Sequence, residues 1–216
     1  MIQLDRLVYA TTKPDEVDSF LRRERGLSVA ATGTSFPGVA TRIYPLPGGG
    51  FLEVTSIEDQ SQIAASEGGS ALQQFLAEKG AGYYSLILET DRLVHVKKTL
   101  KSNFYPTYVT TPQEAVDPTG QTIRFQMVGS AAHLPWFVQY NQPRVSPESE
   151  QEQGVILYSP FWQADTNLLE KIFGQKPDRS SSAVSFRMSN GCFRVVQAAE
   201  ESFAYFDKNG ILFPPN

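Results

Sequence analysis

The chain has 216 residues, 41% of them hydrophobic and 12% aromatic, enough to bury one large core or two small ones. Its 19 basic and 23 acidic residues leave a net charge of −4 with no basic stripe, which argues against nucleic acid as a partner. No apolar run is long enough to cross a bilayer, the first six residues lack the plan of a secretion signal, and one cysteine cannot form an internal disulfide; a cytoplasmic protein without a membrane partner is expected.

Residues 4–11 read as an apolar strand. Residues 15–25 read as an amphipathic helix: Val17, Phe20 and Leu21 fall at helical spacing, acids occupy the first turn and arginines the last, and Gly26 closes it. A loop through Pro37-Gly38 leads to strands over 39–46 and 51–57, a hairpin around Pro47-Gly48-Gly49-Gly50. A second helix over 70–79, stopping at Gly80, bridges to the next unit. The plan then recurs: strand 84–90, helix 92–102 with Leu93, Val96 and Leu100 on one face, a turn at Asp117-Pro118-Thr119-Gly120, and strands 121–128 and 136–140. Residues 143–153 contain two prolines, three glutamates and no aromatic residue, and read as a linker. The third copy has strand 155–158, helix 165–173, and strands 183–188 and 192–197 about the turn Ser189-Asn190-Gly191. Residues 213–216 form a tail.

Repeats fix architecture before any one residue is interpreted. Each unit buries one sheet face only by packing against something else, so the units must associate. The expectation is an α+β fold of curved mixed sheets around a cleft, with helices outside. Residues 1–142 hold two units, 143–153 the linker, and 154–213 a third, partial βαββ module.

The opening Leu4-Asp5-Arg6-Leu7-Val8-Tyr9-Ala10, the segment 36–46 with Gly50-Phe51-Leu52-Glu53-Val54, and Leu134-Pro135-Trp136-Phe137-Val138-Gln139-Tyr140 resemble the glyoxalase-like branch of the vicinal-oxygen-chelate superfamily. That resemblance implies paired βαβββ modules around a U-shaped cleft. It also implies a divalent ion held by the first and last strands of each module, at Arg6, Glu53, Ser85 and Gln139. Histidines are usual at the two first-strand positions. A guanidinium stays protonated and offers no lone pair, and serine is a poor neutral ligand. The donors left are too few for zinc, iron or manganese, so no metal and no other cofactor is expected.

Arg6 and Glu53 are then expected to face each other as an ion pair where the cation would stand. The pair either plugs an abandoned site or acts, with Arg6 holding an oxygen of the ligand and Glu53 serving as general base. Arg42, ranked above Arg124, is a further ligand-binding candidate, with Ser85 and Gln139. Tyr9, Tyr44, Trp136 and Tyr140 are candidates for an aromatic wall. His133, in a loop ahead of a cleft strand, is another; His95, mid-helix, and Cys192, at the start of a strand, read as packing residues. The expected activity is binding or transformation of a small carbonyl- or carboxylate-bearing molecule, of lyase or isomerase type if there is turnover. Sequestration without chemistry is the alternative, or assembly of a homodimer through the third module, whose open sheet edge invites a symmetry mate.

Overall fold

The computed structural model describes residues 1–116, 122–131, 133–142, 153–180 and 182–213. The first unit follows its local signals. The opening apolar run becomes β1 (Ile2–Thr11). α1 (Pro14–Arg25) begins with a proline, whose missing N–H is no loss in a first turn, and stops at Gly26 in the left-handed region. β2 (Ala31–Phe36) follows, where the sequence predicts loop; its small, exposed residues carry no hydrophobic alternation to reveal a strand. β3 (Val39–Pro45) and β4 (Phe51–Ile57) pair antiparallel about the glycine-rich turn.

α2 (Glu67–Lys79) leads into the second unit, its first turn capped by Ser66 Oγ accepting from Gly69 N–H at 3.0 Å. Then come β5 (Ala81–Thr90), α3 (Leu93–Ser102), the short β6 (Tyr108–Val109) and β7 (Gln113–Val116), β8 (Thr122–Gly129) and β9 (Trp136–Tyr140). The turn predicted at 117–120 lies outside the described residues. These strands form one nine-stranded sheet in the order β2-β3-β4-β1-β5-β9-β8-β6, with β7 also on β8. β1 runs parallel to β4, β5 runs parallel to β9, and β1 meets β5 antiparallel. Two βαβββ modules thus join through their first strands.

The third unit comprises β10 (Gly154–Ser159), α4 (Trp162–Phe173), β11 (Asp178–Arg179), β12 (Ala183–Met188), β13 (Gly191–Gln197), β14 (Ser202–Asp207) and β15 (Gly210–Leu212). Their sheet runs β11-β12-β13-β10-β14-β15. β14 lies antiparallel on β10 as β5 does on β1, so this unit also carries the opening strand of a further copy. The expected βαββ module over 154–213 spans that hairpin but assigns it no strands, although Asn209-Gly210 is hairpin turn chemistry. Residues 143–152 of the expected linker are outside the described residues. Its last residue, Gln153, is buried and accepts from Tyr205 OH at 3.4 Å.

One apolar core joins all three units: Leu7, Leu21, Leu52, Leu86, Leu100 and Phe137 share a cluster with Leu157, Leu169, Phe186 and Phe193. α1, α3 and α4 all contribute to it. α2 does not. Its Leu72 and Leu76 pack on Ala10 and Val39, with Ile57, Phe75 and Tyr84 around them. Val39 pairs with Ile57 and Ile43 with Glu53 across β3–β4, so α2 covers one end of the sheet face that carries Glu53. The physical reason is simple: α1 and α3 already occupy the other face. Among the described residues no helix is long and apolar enough to cross a membrane.

Candidate functional site

The first sheet curls, and its inner face is the one opposite α1 and α3. The centre of that face is built on an irregularity in β1. Leu4 pairs with Leu88 and Arg6 with Ile87, so Asp5 has no residue opposite it: a β-bulge. Strict alternation would send Asp5 and Arg6 to opposite faces. The bulge brings both into one hydrogen-bonded cluster.

Arg6 Nε donates to Asp5 Oδ2 at 2.9 Å, and Arg6 Nη1 donates to Glu53 Oε2 at 2.9 Å. Ser35 Oγ donates to Glu53 Oε1 at 2.8 Å, and Tyr140 OH donates to Asp5 Oδ1 at 2.8 Å. Two residues before the bulge, Gln3 Nε2 donates to Glu89 Oε2 at 2.8 Å. Asp5, Glu53 and Glu89 are all buried, whereas the Arg6 side chain keeps 36% of its exposure. Burial works most strongly against the charge of Arg6, but the Glu53 carboxylate and Tyr140 together outweigh it and hold the guanidinium above the ordinary arginine range. Burial also pushes the Tyr140 phenol up, offset in part by Arg6. Asp5, Gln3, Glu89 and Ser35 escape the sequence analysis. The first three lie on strands whose parity only the bulge resolves, and Ser35 lies on the strand taken for a loop.

The other predicted residues divide. Ser85 pairs with Val8, which pairs with Glu53, so it shares the inner face and is half-buried there. Trp136 pairs with Ile87 on the same face; a Cβ on Gly129 would stand 2.4 Å from its ring, so that glycine leaves room for the indole. Gln139 alternates to the outer face and donates to Asp91 O at 3.3 Å. Tyr9 points to the core, stacked on Phe213 with ring centroids 4.3 Å apart. Tyr44 is fully buried under α1, donating to Asp18 Oδ1 at 3.0 Å, and burial with that carboxylate pushes its phenol up to about 12. Arg42 shares the face of Tyr44 and pairs with Asp15 of α1 at 2.6 Å, away from the cleft. Arg124 pairs with Glu114 at the exposed edge, at 2.6 Å. His95 lies 2.9 Å from Lys171 O of α4, and Cys192 is half-buried on β13. His133 faces the third unit, with Nε2 3.2 Å from Asp165 Oδ1.

The four positions that would hold a metal do not make a donor set. Glu53 is taken up by a cation of the chain itself, Gln139 is on the far face, and Ser85 offers a neutral hydroxyl. Among the described residues no group of three or more His, Cys, Asp and Glu side chains is placed to hold an ion. The residues present do not fit a divalent metal.

A sequence model described as a glyoxalase-like domain matches residues 4–157. A hypothetical protein from Staphylococcus aureus, solved by crystallography, aligns over 96% of this chain and 92% of its own at 14% identity, with a TM-score of 0.67. A variant of methylmalonyl-CoA epimerase from Streptomyces coelicolor, in complex with 2-nitronate-propionyl-CoA, aligns over 67% of this chain and 97% of its own at 16% identity, with a TM-score of 0.47. The corresponding figures for methylmalonyl-CoA epimerase from Mycobacterium tuberculosis are 65%, 88%, 14% and 0.44. The Staphylococcus aureus likeness is one of fold. Comparison with curated proteins found no match.

Proposed function

This chain belongs to the glyoxalase-like domain family, and from that premise we propose that its cleft binds a small molecule through a carbonyl oxygen held by Arg6, without a divalent metal. The observation that carries this is the exposure gradient in the cluster. Asp5 and Glu53 are buried behind Arg6, so the guanidinium is the part of the cluster that a ligand meets. It has five N–H donors, of which Asp5 and Glu53 take two, with Tyr140 a further partner. Ser85, Trp136 and Tyr140 share the face and complete a wall of mixed polarity.

Charge selects within the ligand class. Two buried carboxylates already exceed the single positive charge of Arg6, so a ligand carboxylate would add a third negative charge in a poorly screened site. A neutral carbonyl avoids that cost. Glu53, bonded to the same guanidinium, lies beside any carbonyl on Arg6, which supports a second reading in which it takes a proton from the neighbouring carbon. Both its oxygens already accept hydrogen bonds, and that favours binding without turnover. A homodimer through the third unit is proposed on the open edge that the exposed two-residue β11 leaves, and a cytoplasmic location on the lone cysteine.

The test is titration with acetone, dihydroxyacetone and methylglyoxal against acetate and lactate, followed by NMR of the Arg6 side chain. Saturable shifts with the neutral carbonyls, weaker with the carboxylates and lost in Arg6→Ala, are expected; Glu53→Gln keeps binding and removes any turnover. Equal binding by wild type and Arg6→Ala overturns the assignment.

A further inference from the structure

The third unit stands outside the cleft yet touches the bulge on which the cleft is built. β4 pairs with β1 only from Arg6 onward, so the edge of β1 before that point needs another partner. The turn between β12 and β13 supplies it. Ser189 N–H donates to Ile2 O at 2.9 Å, Leu4 N–H donates to Asn190 Oδ1 at 2.8 Å, and Asn190 Nδ2 donates to Leu4 O at 3.1 Å. Asn190 is buried, so water does not compete for these bonds. To Leu4 its primary amide offers one donated and one accepted bond, as a neighbouring strand residue would. The turn is braced in its own unit, where Cys192 N–H donates to Gln153 O at 2.9 Å and Gln153 Nε2 lies 3.5 Å from Asn190 O.

We infer that Asn190 is a positioning residue for the cleft: by holding both backbone groups of Leu4 it fixes the bulge that gathers Asp5 and Arg6 into one cluster. The third unit is therefore part of the binding apparatus without lining it. The functional meaning of this role rests on the reading of Arg6 given above, but the geometry can be tested without any ligand.

The experiment follows the Arg6 Nε–H resonance in isotope-labelled full-length protein, assigned with Arg6→Lys. In wild type this proton, bonded to Asp5, exchanges slowly with water. Asn190→Ala is expected to shift the resonance and speed its exchange by about tenfold, the scale of one lost buried hydrogen bond. Leu169→Ala, which removes core packing in the same unit but keeps the Asn190 hydrogen bonds to Leu4, should leave the resonance in place. Should Asn190→Ala not fold, Asn190→Ser keeps an acceptor for Leu4 N–H, loses the amide donor, and is read in the same way. A resonance unmoved by the Asn190 substitution, or moved equally by Leu169→Ala, overturns the inference. Acetone titration separates the two proposals. If wild type binds none of the carbonyl probes while the Arg6 signal responds to Asn190 as expected, the proposed function fails and the positioning role stands.

Discussion

Arg6 and Glu53 lie 47 positions apart and meet at 2.9 Å. The family resemblance, which puts both at ligand positions of one cleft, together with their opposite charges, made that pair legible in the sequence. Asp5 was not, although it is the neighbour of Arg6, because alternation separates adjacent strand residues and a bulge leaves no mark in composition. His133 shows the same limit from another side. Its loop leads into β9, but the ring turns to the third unit. There Asp165 accepts at 3.2 Å, Glu201 Oε1 lies 3.7 Å from Nδ1, and Phe161 stands with its ring centroid 5.6 Å away. Asp165 is itself held by Ser159 Oγ at 2.5 Å. The hydrogen bond to Asp165 raises the His133 pKa above its ordinary 6.5, against the effect of burial, and Glu201 adds to the rise. A raised histidine stabilises the fold below its unfolded value and loses that contribution as pH climbs through its folded value. Wild type should therefore exceed His133→Gln in stability most clearly near pH 5, with the gap closing above neutrality. Urea unfolding across that range measures it, and a gap that widens with pH would contradict the assignment.

At the scale of elements, β1 decides the site, and its bulge is pressed from the β4 side as well as held by the third unit. Gly50 has a φ of 76°, and a Cβ there would stand 2.7 Å from Leu4 O. Only glycine satisfies both conditions without strain. Gly50→Ala should cost about 2–3 kcal/mol, from left-handed backbone plus displacement of the Leu4 carbonyl. Gly26→Ala at φ 66°, where nothing lies within 4 Å, isolates the backbone part and should cost about 1 kcal/mol. Thermal unfolding of the two variants tests the difference; equal losses would mean that the close approach to β1 carries no energy. α2 adds a second element-scale lesson. The sequence shows its apolar stripe plainly, while the choice of sheet face follows from which face α1 and α3 leave open.

For the whole molecule, the shared core outweighs the division into units. Residues 1–142 look separable in sequence, and the glyoxalase-like match ends at 157. Yet Leu4, Leu7 and Leu86 share one cluster with Leu157, Leu169 and Phe193. Arg25 at the end of α1 also bonds Asn209 O and Ile211 O of the terminal hairpin, at 3.1 and 3.0 Å. A chain cut after residue 142 should expose that core and lose its cooperative thermal transition, while the full chain unfolds in a single one. Calorimetry distinguishes this from independent domains, which would give two transitions, one of them surviving the cut.

The sequence by itself determined the repeated strand–helix–strand plan, the positions of α1, α3 and α4, the hairpins built on Pro47–Gly50 and Ser189–Gly191, and the absence of good metal-donor side chains at Arg6 and Ser85, two positions that the resemblance assigns to ligands. Those properties are local: periodicity, caps, turn residues and donor chemistry act within a few residues. Tertiary structure alone decided that Asp5 joins Arg6, that Arg42, Tyr44 and Gln139 turn away from the cleft, and that Asn190 reaches Leu4 across 186 positions. Each of these depends on strand register, and a single bulged residue reverses register without changing any local signal.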